Sequence, residues 1–414
     1  MFAGGLVLRL ALLATTAGDP VLGTPMLDAE YAVDWAHAMR DGGPWMSPEG
    51  TAYFRTPLYA WFLALAFLLP GPDLLAARIL QAVLGAATAA IVADLAGRRL
   101  GRGAGIGAGV LAAASWPLLL FGRELLIESI VPFLGVSLLW TLDAAARRPT
   151  ALRWLAAGAV LGLAAVARAN FIVIVPVALL LAVRDAPRMR RALALTAGIA
   201  LLIAPVTVRN RVVSGDWILL SYQGGLNLWI GNNPEADGMS AHLPGLTSWR
   251  NEDVEAMLAR EAGRPLAPAE QDAVWRGRAL EFFRESPGDA LGLLARKTWL
   301  FLQGYEIRNN RDLYLLRGRD PVLSLPLPDF GWILPLAAVG MWATRRRRSE
   351  LADWYGYAGA AALGVIAFFV CARYRLIVWP ALLPFAGAGV AAVVDRSAGV
   401  AALAGRAALL VGLV

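Results

Sequence analysis

The sequence predicts an all-α integral membrane protein of about eleven spanning helices, with membrane-parallel or re-entrant helices and one large external loop. Three observations predict it. Of 414 residues, 58% are apolar and only 17% are charged, whereas a soluble chain carries about 25% charged residues. The charges fall in short clusters between long apolar runs, as a bilayer demands. The net charge of +7 is almost wholly arginine, with Lys297 the only lysine. It is scattered through the connections, not gathered on one soluble face as a nucleic-acid binder requires.

The charge-poor runs in chain order are 2–16, 74–97, 103–122, 125–142, 154–167, 169–183, 192–208, 330–344, 354–372, 376–394 and 397–414. Several fall short of the ~20 residues of an ideal span, so their helices extend into flanking arginines that snorkel. The first run lacks a basic leader and is followed by further apolar runs, so it reads as a span and not a signal peptide, despite Arg9 inside it. Arg98, Arg99 and Arg102 follow the second run, and Arg147, Arg148 and Arg153 the fourth. Arg184, Arg188, Arg190 and Arg191 follow the sixth, Arg345 to Arg348 the eighth, and Arg396 the tenth. Placed in the cytoplasm, they all fall on one side. The apolar stretch 57–69 would invert that pattern if it crossed. Opened by Thr56 as N-cap and Pro57 at the first helical position, it reaches only about 20 Å and is read as interfacial or re-entrant.

The chain therefore divides into 1–208, a transmembrane module with a first external loop at 17–73; 209–329, a large extracytoplasmic loop; and 330–414, the C-terminal spans. The large loop holds 14 basic and 16 acidic residues, so the cytoplasmic arginine bias has vanished there. Helical periodicity occurs at 250–262, 268–286 and 288–304, the last amphipathic and resting on the membrane.

Some chemistries find no support. One cysteine, Cys371, permits no intramolecular disulfide and no zinc ribbon. Gly103, Gly105 and Ala108 spell G-x-G-x-x-A, but inside a predicted span with no preceding strand, so they predict close helix packing. His37 and His242 are the only histidines, and no metal-spaced set accompanies them.

Acids and arginines of the outer face remain. On a helix over 27–40, Glu30, Asp34, His37 and Asp41 share a polar arc, while Asp28 falls with Trp35 and Met39 on the apolar side. Asp28 either caps that helix or performs a task facing inward. Glu124 and Glu128 lie one turn apart, as interfacial acids neutralised by Arg123 or as a second carboxylate beside the first. Arg168 with Asn170, Arg209 with Asn210, and Arg373 with Arg375 sit at outer span ends against the charge bias. Each is explained by snorkelling or by a grip on an anionic lipid headgroup.

Several stretches taken in order carry a resemblance. They are L27-D-A-E-Y-A-V-D-W-A36, F54-R-T-P-L-Y-A-W-F62, G122-R-E-L-L126, A167-R-A-N170, R209-N-R-V-V-S-G-D216, G224-G-L-N-L-W-I-G-N-N-P-E-A-D-G238, Y305-E-I-R-N-N310 and A372-R-Y-R-L376. The chain resembles the bacterial membrane glycosyltransferases related to protein O-mannosyltransferases and to the aminoarabinose transferase of lipid A, which share the C-type fold. The resemblance implies Asp28 as catalytic base, Glu124 as a second external acid, and Arg373 and Arg375 beside the carrier phosphate, with Arg168 and Lys297 adding charge. The same stretches supply Arg55, Asn232, Asn233, Glu306 and Tyr374, with neighbouring Tyr53, as further candidates. The implied reaction is inverting transfer from a polyprenyl-phosphate sugar to a protein, lipid or glycan acceptor, on the outside of the bacterial plasma membrane. The family's metal requirement varies, so a divalent metal ion stays open as cofactor, without a ligand set. A multi-span lipid or sugar transporter is the competing class; no internal repeat supports it, and the distinctive charges sit at one face.

Overall fold

In a bilayer an apolar segment must satisfy its own backbone, which favours helices, and among the described residues the computed structural model contains helices and no strands. It describes residues 1–16, 18–42, 47–184, 188–246 and 251–395. The last predicted span, 397–414, and Arg396 lie outside them.

The chain starts with α1 (Phe2–Thr15), and a first loop carries α2 (Pro20–Gly23), α3 (Asp28–Arg40) and α4 (Leu58–Ala66). A run of apolar helices follows: α5 (Asp73–Leu100), α6 (Arg102–Ala114), α7 (Trp116–Arg123), α8 (Val131–Arg147), α9 (Ala151–Ala167), α10 (Val175–Val183) and α11 (Arg188–Ser214). The large loop holds α12 (Gly224–Gly231), α13 (Asn251–Ala262), α14 (Pro268–Glu285), α15 (Pro287–Leu302) and α16 (Leu313–Arg319). Then come α17 (Phe330–Ala343), α18 (Ala352–Ala367), α19 (Ala372–Arg375) and α20 (Trp379–Val394). By length and composition α5 and α11 can each cross a membrane, and α6 with α7 can if the bent pair is one span.

That pair bends by 47° for a local reason. Pro117 has no N–H for the Ala113 carbonyl, and the Trp116 N–H turns to Pro328 O at 3.0 Å. Two carbonyls are thereby freed at the end of α6. The Arg9 guanidinium covers both, donating to Ala112 O at 3.3 Å and Ala113 O at 3.4 Å. This accounts for an arginine inside the first apolar run.

The G-x-G-x-x-A stretch is helical and packs closely, as its small residues predict. A Cβ on Gly105 would stand 2.7 Å from Ala93 O and from Gly97 Cα, seating α6 on α5. Gly158 does the same between α9 and α11, where a Cβ would meet Leu195 O at 2.0 Å.

The arginine connections meet at one end of the bundle. Arg99 pairs with Asp143 at 3.3 Å and Asp353 at 2.6 Å. Arg347 donates to Arg99 O at 2.9 Å, and Arg184 to Ser349 O at 3.0 Å. At the other end of α5, Asp73 meets His37 and Arg40 of α3.

The α4 helix has nine residues, roughly 14 Å, too short to cross. Thr56 does not cap it; the helix starts one residue later, after Pro57, and the Thr56 hydroxyl donates to Ala167 O at 2.8 Å. In the large loop α15 buries Ala290, Leu293, Lys297 and Phe301 and leaves Leu291, Leu294, Trp299 and Leu302 exposed.

Candidate functional site

At the end of the bundle away from the arginine connections, α3, α4, the segments at 126–128 and 167–173, the entry to α12, and the 368–374 turn enclose a cavity of about 390 Å³. Its charged lining is Asp28, Arg55, Glu128, Arg168 and Arg373.

Asp28 opens α3 but makes no capping bond. Leu27 before it has φ +55°, a conformation a non-glycine residue adopts only under about 1–3 kcal/mol of strain. The chain thus turns abruptly into α3, and Asp28 meets partners far along the sequence. Its Oδ1 lies 2.8 Å from Arg55 Nη2, and its Oδ2 accepts from Arg373 Nη1 at 2.7 Å and Asn310 Nδ2 at 3.1 Å. Burial alone would push the Asp28 carboxyl up, but Arg55, Arg373 and the Asn310 bond outweigh it and hold it well below the usual carboxylate range.

Glu128 is the second acid of the cavity. It follows the α7 break, is 1% exposed, and receives Arg168 at 2.5 Å and Arg373 at 3.4 Å on one oxygen. Arg373 therefore bridges both acids. The Arg168 and Arg373 guanidinium groups also lie over the Tyr374 ring, at 4.2 and 5.1 Å, and Arg55 lies 4.5 Å from the Tyr31 ring centre. Asn170 lines the same cavity.

The structure gathers Asp28, Arg55, Arg168, Asn170, Arg373 and Tyr374, and sets the remaining sequence candidates elsewhere. Glu124 lines a second, small pocket with Phe121, Leu313 and Leu316, which Asn310 and Arg373 also border, and its Oε2 is 3.8 Å from Arg311. Arg375 is fully buried on the other side of its turn, bonded to Glu306 Oε2 at 2.6 Å, Gln303 O at 2.6 Å and Tyr305 O at 2.7 Å. Burial pushes the Glu306 carboxyl up despite Arg375, and its other oxygen accepts from the Phe330 N–H at 3.0 Å.

Lys297 is also fully buried. Its ammonium donates to Gly231 O at 2.9 Å, Asn232 Oδ1 at 2.7 Å and Phe368 O at 2.9 Å, neutralising the C-terminal ends of α12 and α18. Asn233 turns back onto Trp229 O and Ile230 O at the same helix end.

Arg209, Asn210 and Tyr53 join the two external loops. Asn210 accepts the Tyr53 N–H at 3.1 Å and donates to Ile218 O and Leu220 O, while Arg209 donates to Thr51 O and lies over the Tyr53 ring at 4.0 Å. Glu30 and Asp34 face a separate open groove on the polar side of α3, with His37 and Asp73.

Asn310 and Asn227 join the site without having been singled out for a role, as do Ser221 and Gln223. Asn310 ends a quoted motif and signals nothing by type alone. Asn227 sits inside the G224-G-L-N stretch, and only the fold turns it toward the cavity with Ser221 and Gln223.

The family model for dolichyl-phosphate-mannose-protein mannosyltransferase matches residues 54–208. That stretch supplies Arg55, Glu128 and Arg168 to the cavity, but neither Asp28 nor Arg373. Over that stretch the chain is similar to this mannosyltransferase family, in line with the resemblance that its ordered motifs carry. Among solved structures, ArnT from Cupriavidus metallidurans in the apo state is 15% identical, with 92% of this chain and 76% of that chain covered and a TM-score of 0.39. The same protein bound to undecaprenyl phosphate is 16% identical, with 94% and 76% covered and a TM-score of 0.42. No curated protein matches the chain.

Proposed function

We propose that this chain is a membrane glycosyltransferase that moves a sugar, with inversion, from a polyprenyl-phosphate carrier to a protein, lipid or glycan acceptor. In this reading about eleven helices span the bacterial plasma membrane, the shorter ones extended by their flanking arginines, and the cavity opens outside. The observation that carries it is Asp28, aimed into a cavity whose arginines outnumber its acids.

Arg168 and Arg373 grip the carrier phosphate, since guanidinium matches phosphate geometry. The acceptor oxygen attacks the anomeric carbon, the bond from that carbon to the phosphate oxygen breaks, and the polyprenyl phosphate leaves with the electron pair. The acceptor's proton passes to the Asp28 carboxylate as attack proceeds. In the free cavity two arginines depress the basicity of Asp28. A phosphate that takes up part of Arg373's charge restores it, so the base strengthens once donor is bound. Positioning and charge stabilisation supply most of the rate. A divalent metal ion does not fit these residues: both cavity acids are engaged by arginines, and among the described residues no three His, Cys, Asp or Glu side chains converge.

The test is single-turnover transfer from an undecaprenyl-phosphate sugar to envelope acceptors, with matched amounts of protein in liposomes. Asp28→Asn removes the proton acceptor and is expected to lower transfer by about 10²-fold or more. Near-normal transfer by Asp28→Asn would remove the base. Lipid or sugar flux across the liposomes without any transfer by the wild type would establish the transporter instead.

A further inference from the structure

We propose that the cavity selects a donor whose sugar is uncharged, a neutral hexose or pentose, and discriminates against amino sugars. This rests on the glycosyltransferase reading and narrows its substrate class. The family resemblance spans transferases of both kinds of sugar, so the choice falls to this cavity's own charges.

Charge balance favours a neutral sugar. Three arginines, Arg55, Arg168 and Arg373, and two acids, Asp28 and Glu128, line the cavity, a formal difference of 3 − 2, or +1. A polyprenyl-phosphate sugar is a phosphodiester with one negative charge. It neutralises the cavity, and a neutral sugar leaves that balance intact. A protonated amino group adds a positive charge in a desolvated space, which is costly unless a carboxylate meets it.

No carboxylate is free to do so. Asp28 already accepts from Arg55 on one oxygen and from Arg373 and Asn310 on the other, and in the proposed reaction its remaining capacity serves the acceptor's proton. Glu128 Oε1 is held by Arg168 and Arg373, and its Oε2, although unpartnered, is sealed from the cavity space. Glu49 is outside the cavity lining, and its Oε1 accepts the Tyr31 hydroxyl at 2.8 Å.

The cavity offers uncharged partners instead. Asn170, Ser221, Gln223 and Asn227 line it and are half-buried. Among the described residues their side chains have no hydrogen-bond partner. Amides and hydroxyls both donate and accept, as sugar hydroxyls do, so these groups pair with them without any charge. An ammonium donates and cannot accept, so in a hydroxyl's place it leaves an amide N–H of these groups unpaired.

The experiment measures equilibrium binding to the full-length protein in nanodiscs, which needs no acceptor. The probes are undecaprenyl-phosphate arabinose and undecaprenyl-phosphate 4-amino-4-deoxyarabinose, identical but for one group. Wild type is expected to bind the neutral donor at least about tenfold more tightly. Asn227→Asp, which puts a carboxylate on the wall, is expected to shrink that ratio by about tenfold. Equal or tighter binding of the amino donor by wild type overturns the proposal while leaving the glycosyltransferase reading in place. Failure to bind either donor overturns that reading, and the proposal with it.

Discussion

Arg373 and Arg375 look interchangeable in the run A372-R-Y-R-L376, and truncating each should have opposite consequences. They lie two residues apart in the short helical turn α19, so their side chains point about 200° apart around the axis. Arg373→Ala removes one ion pair from Asp28 at 2.7 Å and one from Glu128 at 3.4 Å. Neither acid is orphaned, because Asp28 keeps Arg55 at 2.8 Å and Glu128 keeps Arg168 at 2.5 Å. The protein should therefore fold, and donor affinity should fall by a charge-assisted hydrogen bond, about 1.5–3 kcal/mol or ten- to a hundredfold. Arg375→Ala instead strands a buried Glu306 and frees the carbonyls of Gln303 and Tyr305. Breaking a buried pair by removing one partner costs about 3–5 kcal/mol, a large part of a typical domain's stability. Size-exclusion profiles and thermal unfolding in detergent read the second effect, and binding of an undecaprenyl-phosphate sugar reads the first. A well-folded Arg375→Ala with weakened donor binding, beside Arg373→Ala with full affinity, would refute the assignment of one arginine to the cavity and the other to the frame.

Glu128→Gln should impair turnover more than Glu124→Gln, since only Glu128 shares an arginine with Asp28; single-turnover transfer with the order reversed would move the second acid back to position 124. Burial pushes the Lys297 amine from 10.5 down to about 8. The unfolded chain holds that proton to higher pH, so this group makes stability rise between about 8 and 10.5. Unfolding curves across that window should lose the increment in Lys297→Met, and an unaltered pH slope would contradict the burial. Because Cys371 is buried, cysteines introduced at exposed Arg102, Arg346 and Ser240 can be labelled cleanly. The first two should react only from the cytoplasm and the third only from outside, and labelling of position 240 from the cytoplasm would overturn the orientation.

Where structure depends on neighbours within a few turns, the sequence by itself determined it. Among the described residues the apolar runs became helices because their length and composition leave the backbone no other partner. Loop helices expected at 250–262, 268–286 and 288–304 lie at 251–262, 268–285 and 287–302, since amphipathic periodicity is a local property. The same holds for G-x-G-x-x-A, which was legible as packing because no strand preceded it, and for Asp28, set apart from Asp34 by its angle on one helix. Thr56 is the exception among local signals: its hydroxyl left the helix end for a carbonyl on α9.

Only the tertiary structure decided what each buried charge does. Asp28 and Arg373 are 345 residues apart in the chain, and nothing local says that they meet. Spacing could not separate Glu124 from Glu128, because both end near the same boundary and only the break before α8 turns one into the cavity. Arg9 reads as an anomaly until two carbonyls freed by a distant proline come to rest against it. Lys297 reads as a phosphate ligand until three oxygens from two helix ends close around it. The physical reason is common to all four. Burying a charge is costly without partners, and those partners are chosen by how helices pack, which local periodicity does not encode.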